Sequence, residues 1–178
     1  MTSHADEHIT RLAADVLELA RSSDILLVTA ESCTGGLIIG TLTGIARSSD
    51  VIDRGFITYS NAAKTDMLAV PADMIATHGA VSEQVARAMA NGACQNTAYP
   101  KTKSGILGIA VTGVAGPGGG SMDKPVGTVW FGLCSIVDGL TSTHSWVEHF
   151  DGQRDDIRRA TIHSALSRIK AHIKDQIR

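Results

Sequence analysis

A run of apolar residues, ILLV (25–28), breaks off into the polar string TAESCTGG (29–36). A strand over 25–30 that passes into a helix from about residue 33 to 44 places a carboxylate (Glu31), a hydroxyl (Ser32) and a thiol (Cys33) together at the turn. The first turn of a helix leaves backbone N–H groups unpaired and carries the positive end of the helix dipole. Gly35 and Gly36 let a ligand approach the backbone, so amides at Thr34, Gly35 and Gly36 can cradle an oxyanion or a phosphate. A serine hydroxyl is a weak nucleophile until a base takes its proton. Ser32 therefore reads in two ways, as an activated nucleophile or as an ordinary helix N-cap.

The base has a candidate in YSNAAK (59–64), a second polar cluster at a strand end. The strand is GFITY (55–59), and a short helix opens at Asn61, a good N-cap residue. If the two strands are parallel neighbours, their C-terminal ends share the edge where open α/β sheets bind ligands. Lys64 would then lie near Ser32, on the first helical turn. Burial against a helix N-terminus disfavours its ammonium form and lowers its pKa, so that the neutral amine can act as general base. Tyr59 is placed to relay or orient the proton. A surface lysine and a half-buried core tyrosine would carry the same pattern.

A third cluster, VTGVAGPGGGS (111–121), also follows a strand and holds five glycines between Gly113 and Gly120. Such a loop can turn successive N–H groups inward as an anion nest, making Thr112, Gly113, Gly116 and Gly118 candidate substrate contacts. It fits neither a Walker A loop nor G-x-G-x-x-G, and a plain surface turn would look similar. Lys124 follows within reach. No metal site is expected, because His144 and His149 on a strand, and His163 and His172 on a helix, point to opposed faces.

These clusters need a scaffold. A first helix over 5–22 buries Ile9, Leu12, Ala13, Val16, Leu17 and Ala20. Pro71 ends the short third helix, and Ser82 caps a helix over 83–97. The inner face of that helix (Val85, Ala86, Met89, Ala90, Ala93) is small enough to lie close on a sheet. Strands follow over 105–111, 127–137 and 140–147, the last two as a hairpin with the final strand near an edge. A last helix after Asp151 turns Ile157, Ile162, Ala165, Leu166, Ile169 and Ile173 inward. The expected fold is a single-domain layered α/β/α arrangement over 1–178 with a mixed, largely parallel sheet.

The 178 residues suffice for one real core, and 43% hydrophobic with 19% charged residues is a soluble composition. A net charge of −2 without basic runs argues against nucleic acid as partner. No segment is apolar enough to cross a membrane, and three dispersed cysteines give no disulfide framework, which points to the cytoplasm. The edge-like last strand and the small-residue helix favour a homo-oligomer.

Taken together, TAESCTGG (29–36), RGFITYSNAAK (54–64), HGAVS (78–82), GVAGPGGG (113–120) and KPVGTV (124–129) resemble the CinA C-terminal domain family, the nicotinamide-nucleotide amidohydrolases. The resemblance implies deamidation of nicotinamide mononucleotide to nicotinate mononucleotide and ammonia, in pyridine-nucleotide salvage, with no metal or other cofactor. It assigns the nucleophile to Ser32, and its Y-S-N-x-x-K motif maps to Tyr59 and Lys64. FDGQR (150–154) matches the family's F-x-G-x-R pattern and makes Arg154 a phosphate candidate beside Thr112 and Arg54. The chain departs from the family's frequent P-G-S-S at ARSS (46–49), a change expected to shift a loop bordering the site. Two other readings stand beside this one. Cys33 could be the nucleophile, or the chain could bind a pyridine nucleotide without turning it over.

Overall fold

The computed structural model describes residues 4–98 and 103–176. Its centre is β1 (Ile25–Glu31), buried along its whole length. It is flanked by β2 (Ile52–Ile57) and β3 (Gly105–Gly113), both parallel to it. The sheet continues through β4 (Thr128–Val137) to β5 (Leu140–His149), each antiparallel to its neighbour, in the order β2-β1-β3-β4-β5. Four of the five strands thus run in one direction, and only β4 opposes them.

Alternation along the strands feeds two cores. Leu27, Leu107, Ile109 and Phe131 face α1 (His4–Ser22), α2 (Leu37–Thr43) and α6 (Arg154–Gln176). Leu26, Val28, Ile106 and Ala110 face α3 (Asn61–Leu68), α4 (Ala72–His78) and α5 (Glu83–Gln95). The result is the three-layered α/β/α domain with a mixed sheet that the sequence suggests. The five small or apolar residues expected on the inner face of α5 are all buried, as are the six expected on α6. Close contact on α5 is made possible from the sheet side too, since a Cβ at Gly108 or Gly132 would collide with Cys94 or with the Ala86 carbonyl. Among the described residues, no helix is long and apolar enough to cross a membrane.

Four local expectations need correction. The second helix begins at Leu37 rather than near residue 33, because Gly35 and Gly36 adopt left-handed φ values of 63° and 94° that a helix cannot continue through. The second strand is shifted to Ile52–Ile57, where it pairs with β1 up to Glu31↔Ile57. The cap of α3 is Ser60, whose Oγ accepts from the Ala63 amide at 3.0 Å, so Asn61 is the first helical residue. Pro71 does not end α3, which stops at Leu68 before the left-handed Ala69; it leads into α4, a helix too short for its periodicity to show.

Candidate active site

The chain leaves β1 toward β2 on one side and leaves β3 toward β4 on the other. Neighbouring strands whose connections diverge open a crevice beyond their C-terminal ends. Ser32 sits there, its amide bonded to the Val111 carbonyl at 3.1 Å. Thr58, just past β2, donates its own amide to the Glu31 carbonyl at 2.8 Å. The ends of all three parallel strands are thereby tied together around one pocket of about 290 Å³, near the lower limit of roughly 300 Å³ for small-molecule sites. Ser32, Tyr59, Lys64, Thr112, Gly113 and Arg154 are among its walls.

At the floor, Lys64 Nζ donates to Ser32 Oγ at 3.0 Å and to the Thr58 carbonyl at 2.8 Å. Lys64 is only 1% exposed. Burial holds its pKa below the ordinary 10.5, because the charged form has lost its water. A neutral amine keeps two N–H groups and one lone pair. With one N–H on Thr58, the lone pair can face the serine hydroxyl.

Cys33 also reaches the pocket wall but is 4% exposed and packs into the core with Ile38 and Ile157. Burial pushes its thiol up to about 11, so the thiolate that a cysteine nucleophile needs is disfavoured.

The other expected contacts divide. Thr112 donates its hydroxyl to the Ala80 carbonyl at 2.8 Å, and Arg154 donates to the Gly116 carbonyl at 2.9 Å from the pocket wall. Tyr59 stands at the rim, 65% exposed, and among the described residues it bonds to neither Ser32 nor Lys64; the expected relay has no hydrogen bond to run along. Thr34, Gly35 and Gly36 are not among the lining residues. The Gly36 amide is committed to Glu31 and the Gly35 amide to the Ser32 carbonyl, which removes both from the expected oxyanion donors. Gly116 and Gly118 are outside the lining, whereas Gly113 and Ala115 of the same loop are in it, and the Gly116 carbonyl holds Arg154. Arg54 turns away to the Asn96 carbonyl, and Lys124 holds the His78 carbonyl.

Two further residues take part. The sequence places Glu31 at this turn with its role left open between bracing the loop through the helix N-terminus and contacting a ribose; Arg158 it does not single out. Glu31 is fully buried and bonded to Thr29, Thr34, Gly36, Ile38 and Ile39. Arg158 donates to the Thr34 carbonyl at 2.8 Å. A carboxylate just ahead of a helix start, and an arginine one turn beyond Arg154 on the same helix face, were the available signals.

The family model of the CinA C-terminal domain matches residues 9–173. The chain belongs to the CinA C-terminal domain family. It is 41% identical over 162 residues to a protein of Shigella flexneri named nicotinamide-nucleotide amidohydrolase PncC, covering 90% of this chain and 92% of that one. A CinA-like protein of Syntrophobacter fumaroxidans is 46% identical over 140 residues, which cover 79% of this chain but 31% of the longer relative. Among solved structures, the competence/damage inducible protein CihA of Agrobacterium tumefaciens superposes with a TM-score of 0.79 at 44% identity, over 92% of this chain and 94% of that one. A CinA-superfamily protein of Escherichia coli gives 0.80 at 30% identity, over 95% and 92%.

The departure at 46–49 can now be placed within the CinA fold. Arg47, standing where the family pattern has glycine, holds a left-handed φ of 65°. Its carbonyl accepts from Arg21 and its guanidinium pairs with Asp50 at 3.1 Å, contacts that hold the unusual backbone. This loop leads into the N-terminal end of β2, at the sheet edge opposite the pocket, so it does not border the site as expected.

Proposed function

We propose that the chain is a nicotinamide mononucleotide deamidase, which hydrolyses the carboxamide to nicotinate mononucleotide and ammonia. The observation that carries this reading is the buried Lys64 Nζ at 3.0 Å from Ser32 Oγ. The substrate class rests on the relative named as a nicotinamide-nucleotide amidohydrolase, similar over nearly the full length of both chains.

In the proposed mechanism, Ser32 Oγ attacks the carboxamide carbon while neutral Lys64 takes the hydroxyl proton. The oxyanion that forms meets the amide of Cys33, which lines the pocket and, among the described residues, bonds to no backbone carbonyl. As the C–N bond breaks, the Lys64 ammonium returns its proton to the departing nitrogen and ammonia leaves. Water then attacks the acyl-serine ester; Lys64 takes its proton, the ester C–O bond breaks, and the proton goes back to Ser32. Thr112 spends its hydrogen on Ala80 and keeps its lone pairs for the substrate N–H. Arg154 has further guanidinium donors beyond the one on Gly116, suited to a phosphate. Tyr59 at the rim covers the ring instead of relaying a proton.

The test is ammonia release from nicotinamide mononucleotide by the native protein, Ser32→Ala and Lys64→Ala. Release by the native chain and its loss in both variants is the expected result. Tight binding with no release from any of the three would leave a nucleotide-binding module.

A further inference from the structure

Glu31 immediately precedes the proposed nucleophile, yet it is fully buried and absent from the pocket wall. It therefore cannot touch a substrate. Burying a carboxylate is costly unless other donors replace its water. Five do so here. Oε1 accepts from the Thr29 hydroxyl at 3.2 Å and the Ile39 amide at 2.8 Å; Oε2 accepts from the Thr34 hydroxyl at 2.7 Å and the Gly36 and Ile38 amides at 3.0 Å. Among the described residues no cation forms an ion pair with it. The chain's own side chain thus fills the anion position that a helix N-terminus offers.

Thr34 is also held from the opposite side. Its hydroxyl goes to Glu31 on β1, and its carbonyl accepts from Arg158 on α6, 124 residues away. The turn from Ser32 to Gly36 is left without freedom at the one residue that both elements grip. Two consequences follow for the site. The Ser32 oxygen stays in register with Lys64, and the Cys33 amide at the pocket wall, among the described residues, has no backbone partner. The Gly36, Ile38 and Ile39 amides are withdrawn from competition for an oxyanion.

We infer that Glu31 and Arg158 are positioning residues of the proposed deamidation, clamping the Ser32 turn through the two ends of Thr34. The inference rests on the serine–lysine reading above. It differs from a purely structural role because it requires the rate of the chemical step, and not only stability, to depend on the clamp.

Thr34→Val keeps the shape of the side chain and removes only the hydroxyl, while Thr34→Ser restores it. Arg158→Met removes the grip from α6, and Glu31→Gln turns one of the two accepting oxygens into an NH2 that can only donate. Each variant is measured for kcat and KM on nicotinamide mononucleotide, for melting temperature, and for the rate at which an alkyl fluorophosphonate labels Ser32, read by intact mass. Thr34→Val and Arg158→Met should lower kcat about 10- to 100-fold with KM within about threefold, as misplacement of reacting groups does. Labelling should slow in parallel, and Thr34→Ser should restore both. If Glu31→Gln does not fold, the Thr34 pair decides alone.

Unchanged kcat and labelling in Thr34→Val and Arg158→Met would overturn the clamp. So would losses in Thr34→Ser equal to those in Thr34→Val. A native protein that labels at Ser32 but releases no ammonia would end the deamidase reading, and the labelling rates would then judge the clamp by themselves. A native protein that neither labels nor releases ammonia would remove both.

Discussion

Lys64 and Ser32, 32 residues apart in sequence, meet at 3.0 Å because they follow neighbouring parallel strands. The third partner of this pair is backbone: the Thr58 carbonyl receives Lys64 Nζ at 2.8 Å and fixes where the remaining valences of the nitrogen point. Substituting either side chain by alanine should reduce kcat roughly 10³-fold or more, with the two losses not additive, as for groups that act as a unit. Single-turnover ammonia release by Ser32→Ala, Lys64→Ala and the double variant checks this.

The depressed pKa of Lys64 sets a pH dependence in both activity and stability. Activity should rise with pH as the amine loses its proton, with a midpoint below the 10.5 of an ordinary lysine. For stability the sign follows from proton counting. Between the folded and unfolded pKa values the unfolded chain binds more protons, so this group makes stability increase with pH across that window, up to about 10.5. Lys64→Met removes the group that must shed its charge to be buried. It should melt higher than the native protein near neutral pH while being inactive, and the difference should shrink as pH rises through the window.

Arg154 is expected to act on binding more than on chemistry. Loss of a charge-assisted contact of about 1.5–3 kcal/mol would raise KM for the mononucleotide roughly 10- to 100-fold in Arg154→Met. The effect should be far smaller on free nicotinamide, which has no phosphate. Parallel steady-state measurements on the two substrates distinguish this from a general loss of the site.

Gly132 lies where α5 crosses the sheet, and any Cβ there would strike the Ala86 carbonyl oxygen, which is backbone and cannot swing aside. Gly132→Ala should therefore destabilise the fold by about 1–3 kcal/mol, the usual penalty of overpacking. Denaturant unfolding with an unchanged slope would confirm that the loss belongs to the folded state.

Arg47 offers the reverse case. A non-glycine residue at a left-handed φ of 65° carries roughly 1–2 kcal/mol of strain, set against its pairing with Asp50. Arg47→Gly should shift the unfolding midpoint upward slightly and leave activity alone, since the loop is remote from the pocket.

The pairing of Ser32 and Lys64 was legible because periodicity marks strands and helices, and parallel neighbours must share an edge. The inward faces of α5 and α6 were legible for the same reason. What periodicity cannot show is how individual donors are spent. The Gly35 and Gly36 amides looked available because a helix start leaves its N–H groups unpaired, but Glu31 and the Ser32 carbonyl take them first. The glycine loop looked like an anion nest, and in the fold it supports Arg154 through one carbonyl. Arg158 reaches Thr34 across 124 residues, a contact that no local pattern encodes.

All three cysteines are free and buried, Cys33 within reach of the proposed reaction yet held as a protonated thiol. Reagents that silence many hydrolases by capturing sulfur should find no purchase on this one, and mild oxidants should leave it working. A selective covalent inhibitor would have to seek oxygen, as boronates and phosphonates do. The same burial makes the native chain a ready background for spectroscopy: a single cysteine introduced at the surface, on the rim beside Tyr59 for instance, would accept a probe without first removing any of the protein's own.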